Sequence, residues 1–127
     1  MVRLLVVEDF PPLAKGMVRA LRRAGFDVAC AASRAEVKHV EGWFDAAVVD
    51  LELPDANGID VVADLRAQAR VGEVVFFTAC QDGALLERAA GIGKVVDKSA
   101  GVAFLTTMIN KWLAIAKPEA MAVGRHR

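Results

Sequence analysis

Val48-Val49-Asp50-Leu51-Glu52-Leu53-Pro54-Asp55-Ala56-Asn57-Gly58 passes from an apolar run, through an acid and a proline turn, to the start of a helix. The run from Ala46 to Val49 lacks polar alternation, as strands buried on both faces do. Asn57-Gly58 then opens a helix with Ile59, Val62, Ala63 and Leu65 expected on one side. The same alternation continues outward in both directions. Apolar runs span Arg3 to Val7, Phe26 to Ala31, Val74 to Phe77 and Lys94 to Val96. Helical periods fill the gaps. Between Pro11 and Ala24, the residues Leu13, Met17 and Leu21 form a stripe, with prolines in the first turn and Gly25 past the end. Ser33 and Glu36 have capping-box spacing and predict a second helix, which carries His39. A fourth helix, around Gly83 to Ala90, reads as short, and the fifth carries Val102, Leu105, Ile109, Trp112 and Leu113.

Five strands alternating with five helices predict an α/β protein, a three-layer flavodoxin-like (βα)5 sandwich with parallel strand order 2-1-3-4-5. The chain of 127 residues has a one-domain length. The domain is expected over residues 1–117, with a C-terminal tail at 118–127. In such sheets ligands sit beyond the carboxyl ends of the strands, where the order reverses.

Composition narrows the function classes. Acidic and basic side chains balance at 16 each, so the net charge is +0 and a direct nucleic-acid partner is not expected. The basic end Gly124-Arg125-His126-Arg127 reads as a solvated tail. No stretch approaches a membrane span, and Cys30 and Cys80 form no C-x-x-C pair. A cytoplasmic location is expected.

The strand ends hold the chemistry. The first strand ends in Glu8-Asp9 and the third in Asp50, on strands that are neighbours in the expected order. Carboxylates brought this close repel one another, and a hard divalent cation is the usual remedy. Taken singly, each acid could equally be a solvated strand-end residue. The fourth strand delivers Thr78 and the fifth Lys98 to the same edge. An anionic pocket with a hydroxyl and an ammonium beside it suits a transferring phosphoryl group. If the acids crowd as expected, Asp50→Asn or Asp9→Asn should raise the melting temperature of the metal-free protein.

The acceptor stretch resembles that of response-regulator receiver domains, in which proline follows an aspartate four residues on and an Asp/Asn-Gly pair comes next. Leu4-Leu5-Val6-Val7-Glu8-Asp9 is similar to that family's first strand, Phe76-Phe77-Thr78-Ala79 to its fourth, and Val96-Asp97-Lys98 to its fifth. The resemblance covers about Val2 to Ala116. It implies that Asp50 takes a phosphoryl group from a histidine kinase or histidine phosphotransfer protein, and that a downstream protein target reads the result. Mg2+ or Mn2+ would be held by Asp9, Asp50, the Glu52 main-chain carbonyl and Glu8, the last directly or through water. Lys98, Thr78 and the Ala79 N–H would bind phosphoryl oxygens. Such a domain is a phosphoacceptor that assists its own phosphorylation and dephosphorylation and is not otherwise an enzyme. Its stand-alone, single-domain type is the one expected here.

Three positions depart from the pattern. Val95 stands where a Tyr or Phe is common, and Ser99 follows Lys98 where a cis proline is common, so the Lys98-Ser99 bond is expected to be trans. The interval from Thr78 to Lys98 is also short. Glu52 has two readings, a solvated loop acid or a group that tunes the hydrolytic water. Trp112 and Ile115 widen the fifth helix's apolar face, for core packing or a homodimer contact. His39 reads as a surface residue, and Gly91-Ile92-Gly93-Lys94 lacks the spacing of a phosphate loop. Two other functions fit the fold: a receiver-like interaction module working without phosphorylation, and a haloacid-dehalogenase-type phosphatase. The latter wants a second Asp where Glu52 stands.

Overall fold

All five apolar runs form strands and all five helical segments form helices in the computed structural model, which describes residues 1–116. The strands are β1 (Arg3–Val7), β2 (Asp27–Ala31), β3 (Phe44–Val49), β4 (Val71–Thr78) and β5 (Lys94–Asp97). The helices are α1 (Pro11–Arg23), α2 (Arg34–Val37), α3 (Gly58–Ala67), α4 (Gly83–Ala90) and α5 (Val102–Ala116). The sheet is parallel throughout, in the expected order β2-β1-β3-β4-β5. The expected tail at 118–127 lies outside the described residues. Among those residues, no helix is long and apolar enough to cross a membrane.

Alternate strand residues feed two cores. Leu4, Val6 and Phe77 face α1 and α5, where Met17, Leu21 and Leu105 pack against them. Leu5, Val7, Val49 and Phe76 face the other way, toward Val62 and Leu65 of α3. Each fully buried large side chain is worth about 2 kcal/mol of transfer free energy, so the two cores fix the sheet against both helix layers.

The structure corrects several boundaries. β3 and β4 begin earlier than their apolar runs, because Phe44 pairs with Val71 and Ala46 with Glu73 at the far end of the sheet. The polar residue there is held by tertiary contacts: the Arg3 N–H donates to Asp45 Oδ2 at 2.8 Å. On α3, Ile59, Val62 and Leu65 are buried as expected, but Ala63 is exposed and Val61 is buried in its place. Positions 58, 61, 62 and 65 share one side at 3.6 residues per turn, and 63 does not.

α2 is a single turn. The Ser33 hydroxyl accepts from the Glu36 N–H at 3.1 Å, while Glu36 reaches back to the Ala32 N–H and not to that of Ser33. His39 is exposed beyond the end of α2, between Val37 and Val40, which turn to the core instead. Arg34 also forms a two-bond pair with Asp64 of α3, at 2.7 and 3.0 Å. The hydrogen bond from Arg34 holds the Asp64 pKa below the ordinary carboxylate value, against the opposing pull of burial and with the charge of Arg34 assisting. A depressed folded pKa contributes stability that is complete above the unfolded value of about 4 and is lost as pH falls through the folded one. Asp64→Asn should therefore lower the melting temperature near neutrality and flatten its fall as the pH drops below about 5. Parallel curves for the two proteins would contradict this.

α4 has eight residues and buries only Ala89, so the short reading holds. Gly93 serves packing, since a Cβ there would lie 2.5 Å from the Val74 carbonyl oxygen. Trp112 is partly buried against the α1 and α5 core, with the Lys94 ammonium 5.1 Å from its ring centroid. The ring is thus used within the chain, whereas Phe104 at the start of α5 is 47% exposed.

Candidate functional site

The pairing register places the acids. Val7 of β1 stands opposite Val49 of β3, so the next residues of both strands emerge together at the carboxyl edge. The Asp50 N–H donates to the Val7 carbonyl at 3.0 Å, and the Glu8 N–H to that of Ala31 at 3.0 Å. One oxygen from each of Glu8, Asp9 and Asp50 lies within 4.8 Å of the others. The expected convergence is present.

Thr78 ends β4 beside this cluster, and its hydroxyl donates to Asp50 Oδ1 at 2.7 Å. The Cys80 N–H in turn donates to that hydroxyl at 3.2 Å, which fixes the rotamer. Thr78 pairs in register with Asp97, and the next residue, Lys98, reaches back across β4. Its ammonium lies 2.7 Å from Asp50 Oδ2 and 2.9 Å from Glu8 Oε1. No peptide bond among the described residues is cis, so Lys98-Ser99 is trans. A different device positions the lysine. Asp97 Oδ1 accepts from the Ser99 N–H at 2.8 Å and starts a 3-10 turn over Lys98–Ala100. An Asp two residues before a free backbone N–H is an Asx-turn signal, present in the sequence at Asp97.

The cluster is mostly buried: Glu8 is 2% exposed, Asp50 5% and Thr78 1%. Burial pulls the Lys98 pKa down, but the hydrogen bonds and charges of Asp50 and Glu8 outweigh it and hold the pKa above the ordinary lysine value. The ammonium is therefore charged at neutral pH and neutralises one of the two inner carboxylates. The second oxygen of Glu8 accepts from the Phe10 N–H at 3.0 Å. Asp9, in contrast, is exposed and has no hydrogen-bond or ion-pair partner among the described residues.

This geometry separates the two expected stabilising substitutions. Asp50→Asn removes a repelling charge but also a charge-assisted bond to Lys98, so its net gain is small. Asp9→Asn removes an exposed charge that faces one net negative charge and loses no bond. It should stabilise the metal-free protein by about 1 kcal/mol or less at low salt and remove most of any stabilisation by magnesium. Thermal melts in chelator and in magnesium check both halves, and an Asp9→Asn protein that magnesium still stabilises would contradict the second.

The loop after Asp50 closes tightly. The Glu52 N–H donates to Asp50 Oδ1 at 3.1 Å, the Leu53 N–H to the Ala56 carbonyl at 3.2 Å, and the Gly58 N–H to the Leu51 carbonyl at 3.0 Å. Glu52 bridges to Asn57, and Glu52 is exposed. Asn57 caps α3 by accepting from the Asp60 N–H at 3.0 Å. Ala79 follows Thr78 directly and is exposed. All carboxylate donors here are hard oxygens, and Asp9 is uncommitted, so the residues fit a magnesium-like cation. A groove of about 790 Å³ is lined by Glu8 and Asp9, by Ala14, Val18 and Arg22 of α1, and by Ala31 of β2.

Residues 4–110 match the family described as the response regulator receiver domain. The transcriptional regulatory protein TcrA of Mycobacterium tuberculosis is 41% identical over 93 residues, which is 72% of this chain and 36% of TcrA. CusR of Escherichia coli is 31% identical over 93 residues, 72% of this chain and 40% of CusR. The chain thus spans little more than a third of the length of these relatives. Among solved structures, a receiver domain protein from Methanospirillum hungatei superposes with a TM-score of 0.82 at 20% identity, covering 94% of this chain and 98% of that one. The response regulator TrrA of Thermotoga maritima, solved in complex with Mg(2+)-BeF, gives 0.74 at 23% identity, covering 87% and 98%.

Proposed function

Because this chain belongs to the response regulator receiver domain family, we propose that it is a signalling switch thrown by phosphorylation of Asp50. One observation carries the reading: a buried carboxylate held between an ammonium and a hydroxyl, each at 2.7 Å, beside two further acids.

In this reading the donor is a phosphohistidine on a kinase or phosphotransfer protein. One Asp50 oxygen forms a bond to phosphorus as the P–N bond breaks. The ring nitrogen keeps the bonding pair, and the ring, protonated at its other nitrogen, departs as neutral imidazole. In the resting protein both Asp50 oxygens are engaged, so Lys98 and Thr78 must pass from the carboxylate to the incoming phosphoryl oxygens. The Ala79 N–H takes a third contact. Asp9, Asp50 and the Glu52 carbonyl would hold Mg2+ or Mn2+, with Glu8 contributing through water, since both of its oxygens have partners within the chain. When bound, the cation neutralises charge on the phosphoryl group and draws it toward the acceptor. Later attack of water on phosphorus returns the carboxylate and inorganic phosphate, and in this reading the exposed Glu52, two residues past Asp50, influences that water.

A downstream protein reads the phosphorylated state, and the exposed Phe104 keeps a homodimer contact through α5 within this proposal. A cytoplasmic setting follows from the kinase donor. The test is incubation with magnesium and acetyl phosphate, followed by intact mass. A gain of one phosphoryl group that vanishes in Asp50→Asn is the expected result. No gain in the wild type would leave a binding module as the better description.

A further inference from the structure

The acceptor loop does more than close on Asp50. It also holds the start of α2. Asp55 Oδ1 accepts from the Arg34 N–H at 2.9 Å and Asp55 Oδ2 from the Ala35 N–H at 3.0 Å. An isolated helical turn is unstable, because nucleation fixes several residues for one hydrogen bond. α2 is such a turn, with four residues and one buried side chain, Val37. Two of its first N–H groups are therefore satisfied by a residue 20 or 21 positions away, in the loop that follows the acceptor. The Arg34–Asp64 pair then fastens this turn to α3.

The other end of the same loop is tied to the acceptor through the Glu52 N–H on Asp50 Oδ1. Between the ties, Pro54 restricts the backbone and the Leu53-to-Ala56 bond closes a turn. The segment is short and stiff, so a shift at Glu52 reaches Asp55.

We propose that Asp55 is a positioning residue of the acceptor site, and that through it α2 responds to the phosphorylation state of Asp50. The proposal rests on Asp50 being the phosphoryl acceptor. Phosphorylation makes the carboxylate an acyl phosphate, with one of its oxygens now bridging to phosphorus, and the Glu52 N–H loses part of its charged acceptor or re-forms its bond on a phosphoryl oxygen. Residue 52 moves in either case, and α2 follows or comes loose. Coupling free energy is reciprocal, so loosening Asp55 must also be felt at the acceptor.

The experiment uses the full chain with magnesium, with and without acetyl phosphate. Intact mass gives phosphoryl occupancy, and amide hydrogen exchange is followed in peptides covering Arg34 to Val40. In the wild type, phosphorylation is expected to change exchange there by at least about threefold. Asp55→Ala should exchange roughly fivefold to tenfold faster in α2 in both states, since two capped amides are freed. It should also lose the dependence on phosphorylation and change phosphoryl lifetime and magnesium affinity. Asp55→Asn keeps one carbonyl acceptor and should restore part of each effect. A wild-type mass gain with unchanged α2 exchange overturns this proposal alone. So does an Asp55→Ala protein with faster α2 exchange but unaltered lifetime and magnesium affinity, because that describes a purely structural cap. Absence of any mass gain overturns the acceptor reading and this proposal with it.

Discussion

Replacing Lys98 by methionine should destabilise the metal-free protein by about 3 kcal/mol. The stem length is kept and the charge is lost. The side chains of Glu8 and Asp50 are 1% and 5% exposed, and Lys98 is their shared cation. Removing one partner of a buried ionic cluster leaves the others desolvated and uncompensated, which costs more than the cluster contributed. The lower end of the usual range is appropriate because the Lys98 side chain is itself 23% exposed. Under the proposed function magnesium should return part of the loss by mass action, because the acids that would hold it are brought together only in the folded chain. Urea unfolding in chelator and in magnesium measures both quantities. A loss below about 1 kcal/mol in chelator would mean that the carboxylates do not depend on this ammonium.

Gly58→Ala should cost about 3 kcal/mol and weaken magnesium binding. Helix propensity alone points the other way, favouring alanine by up to about 1 kcal/mol in a helix interior. Sterics decide the sign. A Cβ at Gly58 would collide with the Asp50 carbonyl oxygen and come within 3.0 Å of the Asp50 carbonyl carbon and Val49 Cγ1. Two of these three atoms are main chain of Asp50, so relief requires moving that residue itself. A variant as stable as the wild type, with unchanged magnesium affinity, would show that the loop yields at no cost to the site.

The sheet was readable because its strands are covered on both faces, so the sequence carries unbroken apolar runs where the chain is most buried. The starts of β3 and β4 were not, because Asp45, Gly72 and Glu73 sit where pairing begins before the apolar run does. The site was readable as a set of residue types at strand ends, and the cleft does bring Glu8, Asp9, Asp50, Thr78 and Lys98 together. Adjacent acids do not announce which of them turns inward. Glu8 is buried and paired while Asp9 is exposed, and only the packing of the β1 end beside Lys98 decides this. The extent of α2 was equally hidden, because its N–H groups are completed by Asp55 from a distant loop. Asp97, the residue that aims Lys98 without a proline, was legible in principle from its Asx-turn spacing.

Chemical mapping of the modified residue is the most direct test of the account. After phosphorylation with acetyl phosphate and magnesium, borohydride reduces an aspartyl phosphate to homoserine. Tryptic cleavage after Lys38 and Arg66 then isolates a peptide that also contains Asp45, Asp55, Asp60 and Asp64. Fragment masses should place homoserine at position 50 and leave the other four aspartates intact. Reduction at any of those four, or a phosphoryl group that survives borohydride on another residue type, would contradict the assignment of Asp50.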